Sequence, residues 1–213
     1  MGSIVGRGVR VEIGTTEGTA IPISAMTLAS PPVATSAAHG LSAKSLGYLS
    51  GVGGMVELEG QAVRLNPVTT GNFTLEDLDT LSSAAWTGGN IIPITAWATL
   101  GRITGYSKGG GAGEKLNDTV LLDNLKQELQ GLLAAETVTF NLNALSISDA
   151  AMLKLRQVAR KAGYLVFRIT LNDGNVRFFR GQPSLPGEDV QSNAIGTGSF
   201  TVTIKGFVCE GAA

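Results

Sequence analysis

Three stretches of this chain alternate apolar and polar residues with a period of two, and that rhythm excludes helix for most of its second half. Val138, Phe140 and Leu142 alternate with Thr137, Thr139, Asn141 and Asn143. Leu165, Phe167, Ile169 and Leu171 alternate with Tyr164, Val166, Arg168 and Thr170. Phe200, Val202 and Ile204 alternate with Thr201, Thr203 and Lys205, up to Gly206. Successive strand side chains point to opposite faces, so each stretch lays one apolar face on a core. Near the start, Val9, Val11 and Ile13 alternate with Arg10, Glu12 and Gly14 in the same way, followed by a predicted turn over 14–19 and an extended segment over 20–28. Asn172-Asp173-Gly174-Asn175 lies between the second stretch and a return strand over 176–181, and Asp-Gly suits a two-residue hairpin turn.

One segment breaks the rhythm. Ser146–Ala162 places Ala151, Leu155, Val158, Ala159 and Ala162 on one helical face. Ser146 with Asp149 three residues on predicts a capping box, Arg160 and Lys161 complement the C-terminal dipole, and Gly163 is the expected stop. Between residues 29 and 38, Pro31-Pro32 and small side chains suggest an extended connector. Then come closely spaced apolar pieces at 46–49, 55–58, 62–65 and 73–75, which predict a compact module of tight hairpins closing near Trp86-Thr87-Gly88-Gly89-Asn90. Residues 118–133 fit either a short helix over 121–129 or an extended segment. The fold class is therefore mainly β, a sandwich or barrel with one packed helix and a small β module.

At 213 residues with 43% hydrophobic content the chain can bury a real core. Charged residues are only 15%, against about 25% in an ordinary domain, which suits a surface consumed by contacts between subunits. With net charge −1 and no dense Lys/Arg block, tight duplex binding is disfavoured. No apolar run approaches membrane-spanning length, and a lone Cys209 cannot form an internal disulfide, so a cytosolic origin is expected.

The glycine-rich stretch Lys108-Gly109-Gly110-Gly111-Ala112-Gly113-Glu114-Lys115 invites a phosphate-loop reading and fails it. Glu114 separates Gly113 from Lys115, and Leu116 stands where a hydroxyl would touch magnesium. Such a loop, running on to Asp118, is costly to order alone, so it is expected either to stay mobile or to be ordered from outside the subunit, by a neighbouring copy of the chain. His39 is the only histidine and lacks nucleophilic partners, so a hydrogen-bonded turn residue is the expected role; Cys209 is expected to fill space after the last strand. Glu76, Asp77 and Asp79 lack calcium-loop spacing and read as an exposed acidic turn. No catalytic set, metal or cofactor is expected.

Residues 97–140 and 164–207, through Asp118-Thr119-Val120, Gly131-Leu132, the Asp173-Gly174 strand pair and a terminal strand ending in Gly206, resemble the tail tube proteins of long-tailed bacteriophages. Residues 28–90, through His39-Gly40-Leu41, Gly54-Met55, Glu57-Leu58-Glu59-Gly60 and Phe73-Thr74-Leu75, resemble a small β module of phage structural proteins and, in fold only, a β domain of ubiquitin-activating enzymes. Ala43-Lys44-Ser45 departs from the Gly-Asp-type turn usual in that module. The resemblance implies a tube domain of 1–27 and 96–213 with a module over 28–95 inserted on the tube exterior. It implies a virion protein, assembled in the host cytoplasm, that forms hexameric rings stacked into a hollow conduit for DNA. Implied partners are further copies of the chain, the tail tip or baseplate, tape measure and terminator proteins, and passing DNA held without tight binding, with no membrane. Lys108, Gly109, Gly110, Gly111, Gly113, Glu114, Lys115 and Asp118 become candidates for contact with the next ring, and Thr137, Thr139, Asn141 and Asn143 for the lumen, being short and polar. Two other readings stay open: a binding module for a host-surface glycan, and the tube of a phage-like bacteriocin or type VI secretion machine.

Overall fold

The computed structural model describes residues 8–111, 113–117, 128–143 and 149–212. In chain order the strands are β1 (Arg10–Glu17), β2 (Ile21–Pro22), β3 (Ala25–Met26), β4 (Val33–Thr35), β5 (Leu46–Gly53), β6 (Ala62–Val68), β7 (Asn72–Leu75) and β8 (Gly88–Thr99). They continue with β9 (Ile103–Gly109), β10 (Gly113–Asn117), β11 (Glu128–Leu133) and β12 (Thr137–Asn143). After the helix α1 (Ala150–Arg160) come β13 (Leu165–Thr170), β14 (Val176–Pro183), β15 (Gly187–Asp189) and β16 (Thr197–Gly211). One sheet runs β3-β4-β7-β6-β5-β8-β1-β13-β14-β16-β12-β9, with β2 on β8 and β15 on β16; β10 and β11 form a separate pair.

β8 joins the two halves of this path. Its first part pairs with β5 (Gly47 opposite Pro93) and its second with β1 (Glu17 opposite Ile94), so one strand carries both neighbours. Two cores result. The first is built from residues such as Leu49, Met55, Leu65, Phe73 and Ile91, and takes Val166, Phe178 and Cys209 from the far half of the sheet. The second holds Val11, Ile13 and four phenylalanines beneath Ala151, Met152 and Leu155 of α1. Phe140 stacks on Phe200 at 5.0 Å and on Phe167 at 6.0 Å, and Phe167 on Phe179 at 5.3 Å. Each such pair adds about 0.5–1.5 kcal/mol beyond area burial.

The two cores are locked by polar groups that alternation alone does not reveal. Gly206, at φ +83°, opens a bulge in β16, and a Cβ there would lie 1.9 Å from the Gln61 side chain. The buried Gln61 amide fills that bulge: it accepts from the Phe207 N–H at 3.0 Å and donates to the Phe207 carbonyl at 3.1 Å. Arg64 donates to the Ala212 carbonyl at 2.6 Å and pairs with Glu76 at 3.1 Å. Arg180 lies between the rings of Tyr48 and Tyr164, at 4.1 and 4.8 Å. Glu12, on the polar side of the β1 alternation, is also buried, held by Arg168 at 2.7 Å and Arg10 at 2.7 Å.

Several sequence expectations are corrected. The predicted turn over 14–19 is strand as far as Glu17, because β8 supplies a partner along its length. Residues 56–58 form a 3-10 turn rather than a strand. At the expected close of the module, Gly88–Asn90 is strand and opens β8. The helix is shorter than predicted at both ends, and Asp149 caps it by accepting from the Ala151 N–H at 3.1 Å; Ser146 lies outside the described residues. Its stop is Ala162, at φ +50°, not Gly163, whose N–H reaches back to the Val158 carbonyl at 3.0 Å. Met152 is buried and Ala162 exposed, the reverse of the predicted face at those two positions. Leu171 donates to the Asn175 carbonyl at 2.8 Å and Gly174 to the Leu171 carbonyl at 3.0 Å. The hairpin loop is therefore the three residues Asn172–Gly174, with Gly174 at φ +86°, not a two-residue turn. Cys209 lies within β16 rather than after the last strand.

Candidate assembly surface

β12 lies between β9 and β16, and its alternation decides what each face shows. Val138, Phe140 and Leu142 are buried in the helix-side core, which leaves Thr137, Thr139, Asn141 and Asn143 together on the opposite face. The register extends that face across its neighbours. Thr137 is opposite Thr203 and Gly109, Thr139 opposite Thr201 and Ser107, Asn141 opposite Ser199 and Gly105, and Asn143 opposite Thr197. Thr139 and Thr201 share a hydroxyl–hydroxyl hydrogen bond of 3.1 Å. These positions are glycine or short uncharged polar residues throughout. Charges stand only at its margins: Asp189 of β15 opposite Thr197, and Lys205 two residues beyond Thr203 on β16, while Lys108 and Glu136 at the end of the hairpin pair with one another at 2.9 Å. Farther along the same face of the sheet, Val166, Phe178 and Cys209 are covered by the first core, so the bare part is confined to β9, β12 and the start of β16.

The glycine-rich stretch is divided by the structure rather than forming one loop. Lys108 and Gly109 belong to β9; Gly113, Glu114 and Lys115 belong to β10. Between them Gly110 and Gly111 take φ +97° and +81°, a conformation that L side chains rarely adopt. A Cβ at Gly110 would stand 2.7 Å from the Ala135 carbonyl, so the backbone passes close against residues 135–136. β10 pairs with β11 from Gly113 opposite Leu133 to Asn117 opposite Glu128. The β9–β12 hairpin thus continues, after a break at Gly110–Gly111 and 134–136, into a second β-ribbon. Of residues 118–133, the part 128–133 is strand, and Asp118 and the rest of the predicted segment lie outside the described residues.

The side chains that could have hinted at catalysis are all occupied structurally. The His39 ring accepts at Nδ1 from the Leu41 N–H at 3.0 Å, which leaves Nε2 to donate to the Thr69 carbonyl at 2.7 Å. It packs edge-on against Phe73 at 5.3 Å. Cys209 is buried, and desolvation above all, with Asp77 nearby, pushes its thiol up to about 12. In the acidic turn, Glu76 pairs with Arg64, Asp77 accepts from the Glu210 N–H at 2.7 Å, and Asp79 accepts from the Leu81 N–H at 2.9 Å. Among the described residues no group of three or more His, Cys, Asp or Glu side chains is placed to hold a metal ion. No described helix is long and apolar enough to cross a membrane.

The wide β-sheet, single packed helix and uncharged polar face define a structural β protein. The chain belongs to the phage tail tube protein family, whose model matches residues 53–212, from the end of β5 to just past β16. No curated protein matches the chain. It is therefore a structural protein of a phage tail tube and not an enzyme.

Proposed function

We propose that this chain assembles into hexameric rings that stack into the hollow tube through which phage DNA leaves the virion. The observation that carries this reading is the face of Thr137, Thr139, Asn141 and Asn143 with Ser107, Ser199, Thr201 and Thr203, which holds no charge. DNA binds proteins chiefly through phosphate neutralisation, so a wall without cations lets it slide. Among the described strands β9 ends the sheet path, and its outer edge is one that ring closure would hide. In this reading the ribbon after Gly110–Gly111, with Lys108, Gly109, Gly113, Glu114, Lys115 and Asp118 at and beyond its root, reaches the next ring. The module of residues 28–95 stays outside the bore. β12 and β5 are six strand steps apart in the sheet, and about 20–25° of twist per step turns the two ends more than a right angle from one another. Assembly takes place in the host cytoplasm, with the tail tip or baseplate, tape measure and terminator proteins as partners.

Negative-stain electron microscopy with light scattering, with and without the phage's tail-tip complex as seed, tests this. Rings or stacked hollow tubes are expected. A chain that stays monomeric in every condition, seeded included, overturns the proposal.

A further inference from the structure

The chain carries two exposed segments of opposite charge, and each includes exposed aliphatic surface. On α1, Leu153, Lys154, Gln157, Arg160 and Lys161 recur at helical spacing on the side away from the core. Leu153 is 52% exposed, and the side chains of Lys154, Arg160 and Lys161 have no ion-pair or hydrogen-bond partner among the described residues. Only Arg156 is engaged, with Glu188. The segment 150–163 contains no acid at all.

The second patch lies over the other core. Just before the 3-10 turn at Val56–Leu58, the Gly53 carbonyl accepts from the Thr87 N–H at 3.0 Å and a Cβ at Gly54 would meet the Ala85 carbonyl, so the turn lies beside the end of the segment 79–87. Val56, 67% exposed, and Glu57 stand on that turn, and Leu81, 63% exposed, and Asp79 stand on that segment. No lysine or arginine occurs within 56–63 or 65–83. Lone exposed aliphatic residues are common on any surface, but here each set is flanked in sequence by charges of one sign.

We propose that these patches are the two halves of one interface between copies of the chain: the basic face of α1 docks on the acidic patch at Val56–Glu57 and Asp79–Leu81 of a neighbour. This rests on the self-assembly reading above and names a contact within it. Because the two halves differ, the contact is head-to-tail, and repetition closes a ring or extends a filament. Opposite potentials would steer the encounter and set its register, while Leu153, Val56 and Leu81 supply the dry centre.

The test uses the full chain in two charge-reversed forms, K154E/R160E/K161E and E57K/D79K, checked by circular dichroism for wild-type folding and followed by sedimentation velocity. Each variant alone juxtaposes like charges and is expected to assemble only at a concentration about tenfold or more above wild type. An equimolar mixture restores complementarity at every contact and is expected to assemble as wild type does. Higher salt should weaken assembly of both wild type and mixture. If wild type forms rings or tubes and either reversed chain does so equally well, this interface is overturned while the tube reading stands. A mixture that stays as impaired as its components overturns it as well. A wild-type chain that fails to associate, seeded or not, counts against the tube reading and carries this contact down with it.

Discussion

At the scale of single residues, burial decides chemistry more than identity does. Cys209 is the chain's only thiol, and its location rather than its spacing removes it from reactivity: the sulfur is buried beside Gln61 and Ala62, and its pKa is pushed up to about 12. Between about pH 9 and 12 the unfolded chain releases this proton while the folded chain keeps it, so raising the pH through that window favours unfolding. Urea titrations at pH 8 and 10 should show a lower midpoint at pH 10, and Cys209→Ser should reduce the difference. A thiol reagent at pH 8 should label Cys209 only as fast as the chain unfolds. Ala162 makes a complementary case. Its φ of +50° puts a Cβ where the helix stop favours glycine, so Ala162→Gly is expected to stabilise the fold by about 0.5–1 kcal/mol. The measurement is a thermal melt, with a rise of about 1–4 °C for a chain of this size.

At the scale of elements, the break between β9 and β10 separates the packed sheet from the ribbon. β9 is held to the core by Ile103 and Tyr106, whereas Leu116 in β10 is half exposed. Gly110→Val would force a side chain into the left-handed region and against the Ala135 carbonyl, a strain of about 1–3 kcal/mol confined to the root of the ribbon. The expected result is a folded monomer, with far-ultraviolet circular dichroism unchanged, that assembles poorly. Tubes of wild-type length and yield from that variant would remove the ribbon from the contact between rings. The sequence announces this break by its glycines, but it cannot show that they punctuate a hairpin. The pairing of 113–117 with 128–133 spans a sequence distance over which local pattern is silent. The same limit explains the 3-10 turn at 56–58: a short apolar run fits either conformation, and packing of Leu58 chose between them.

At the scale of the whole molecule, the proposed bore depends on many short side chains lying on one continuous face. A single cation there should act out of proportion to its size, because it repeats in every subunit of every ring. Thr139→Lys or Thr201→Lys, both on the uncharged face, should leave tubes intact yet slow DNA release, and added salt should relieve the delay. Ejection from phage particles carrying the variant tube, followed with a DNA-binding dye, gives the measurement. Release at the wild-type rate would place this face elsewhere than the bore.

By itself, the sequence determined the β character of the second half, the position of the helix and the polar face of β12, because period-two and helical spacing are local and survive without knowledge of partners. It also determined that His39, the acidic turn and the glycine stretch lack the companions that chemistry needs. The tertiary structure alone decided which faces remain bare. Glu12 alternates onto the polar side of β1 and Gln61 belongs to no pattern, yet β13 brings Arg168 to the first and the β16 bulge at Gly206 brings the Phe207 peptide to the second. Those groups lie more than a hundred residues away, at separations of 156 and 146. A buried polar side chain is tolerated only when a partner meets it, and such partners come from sheet order, which no local pattern encodes.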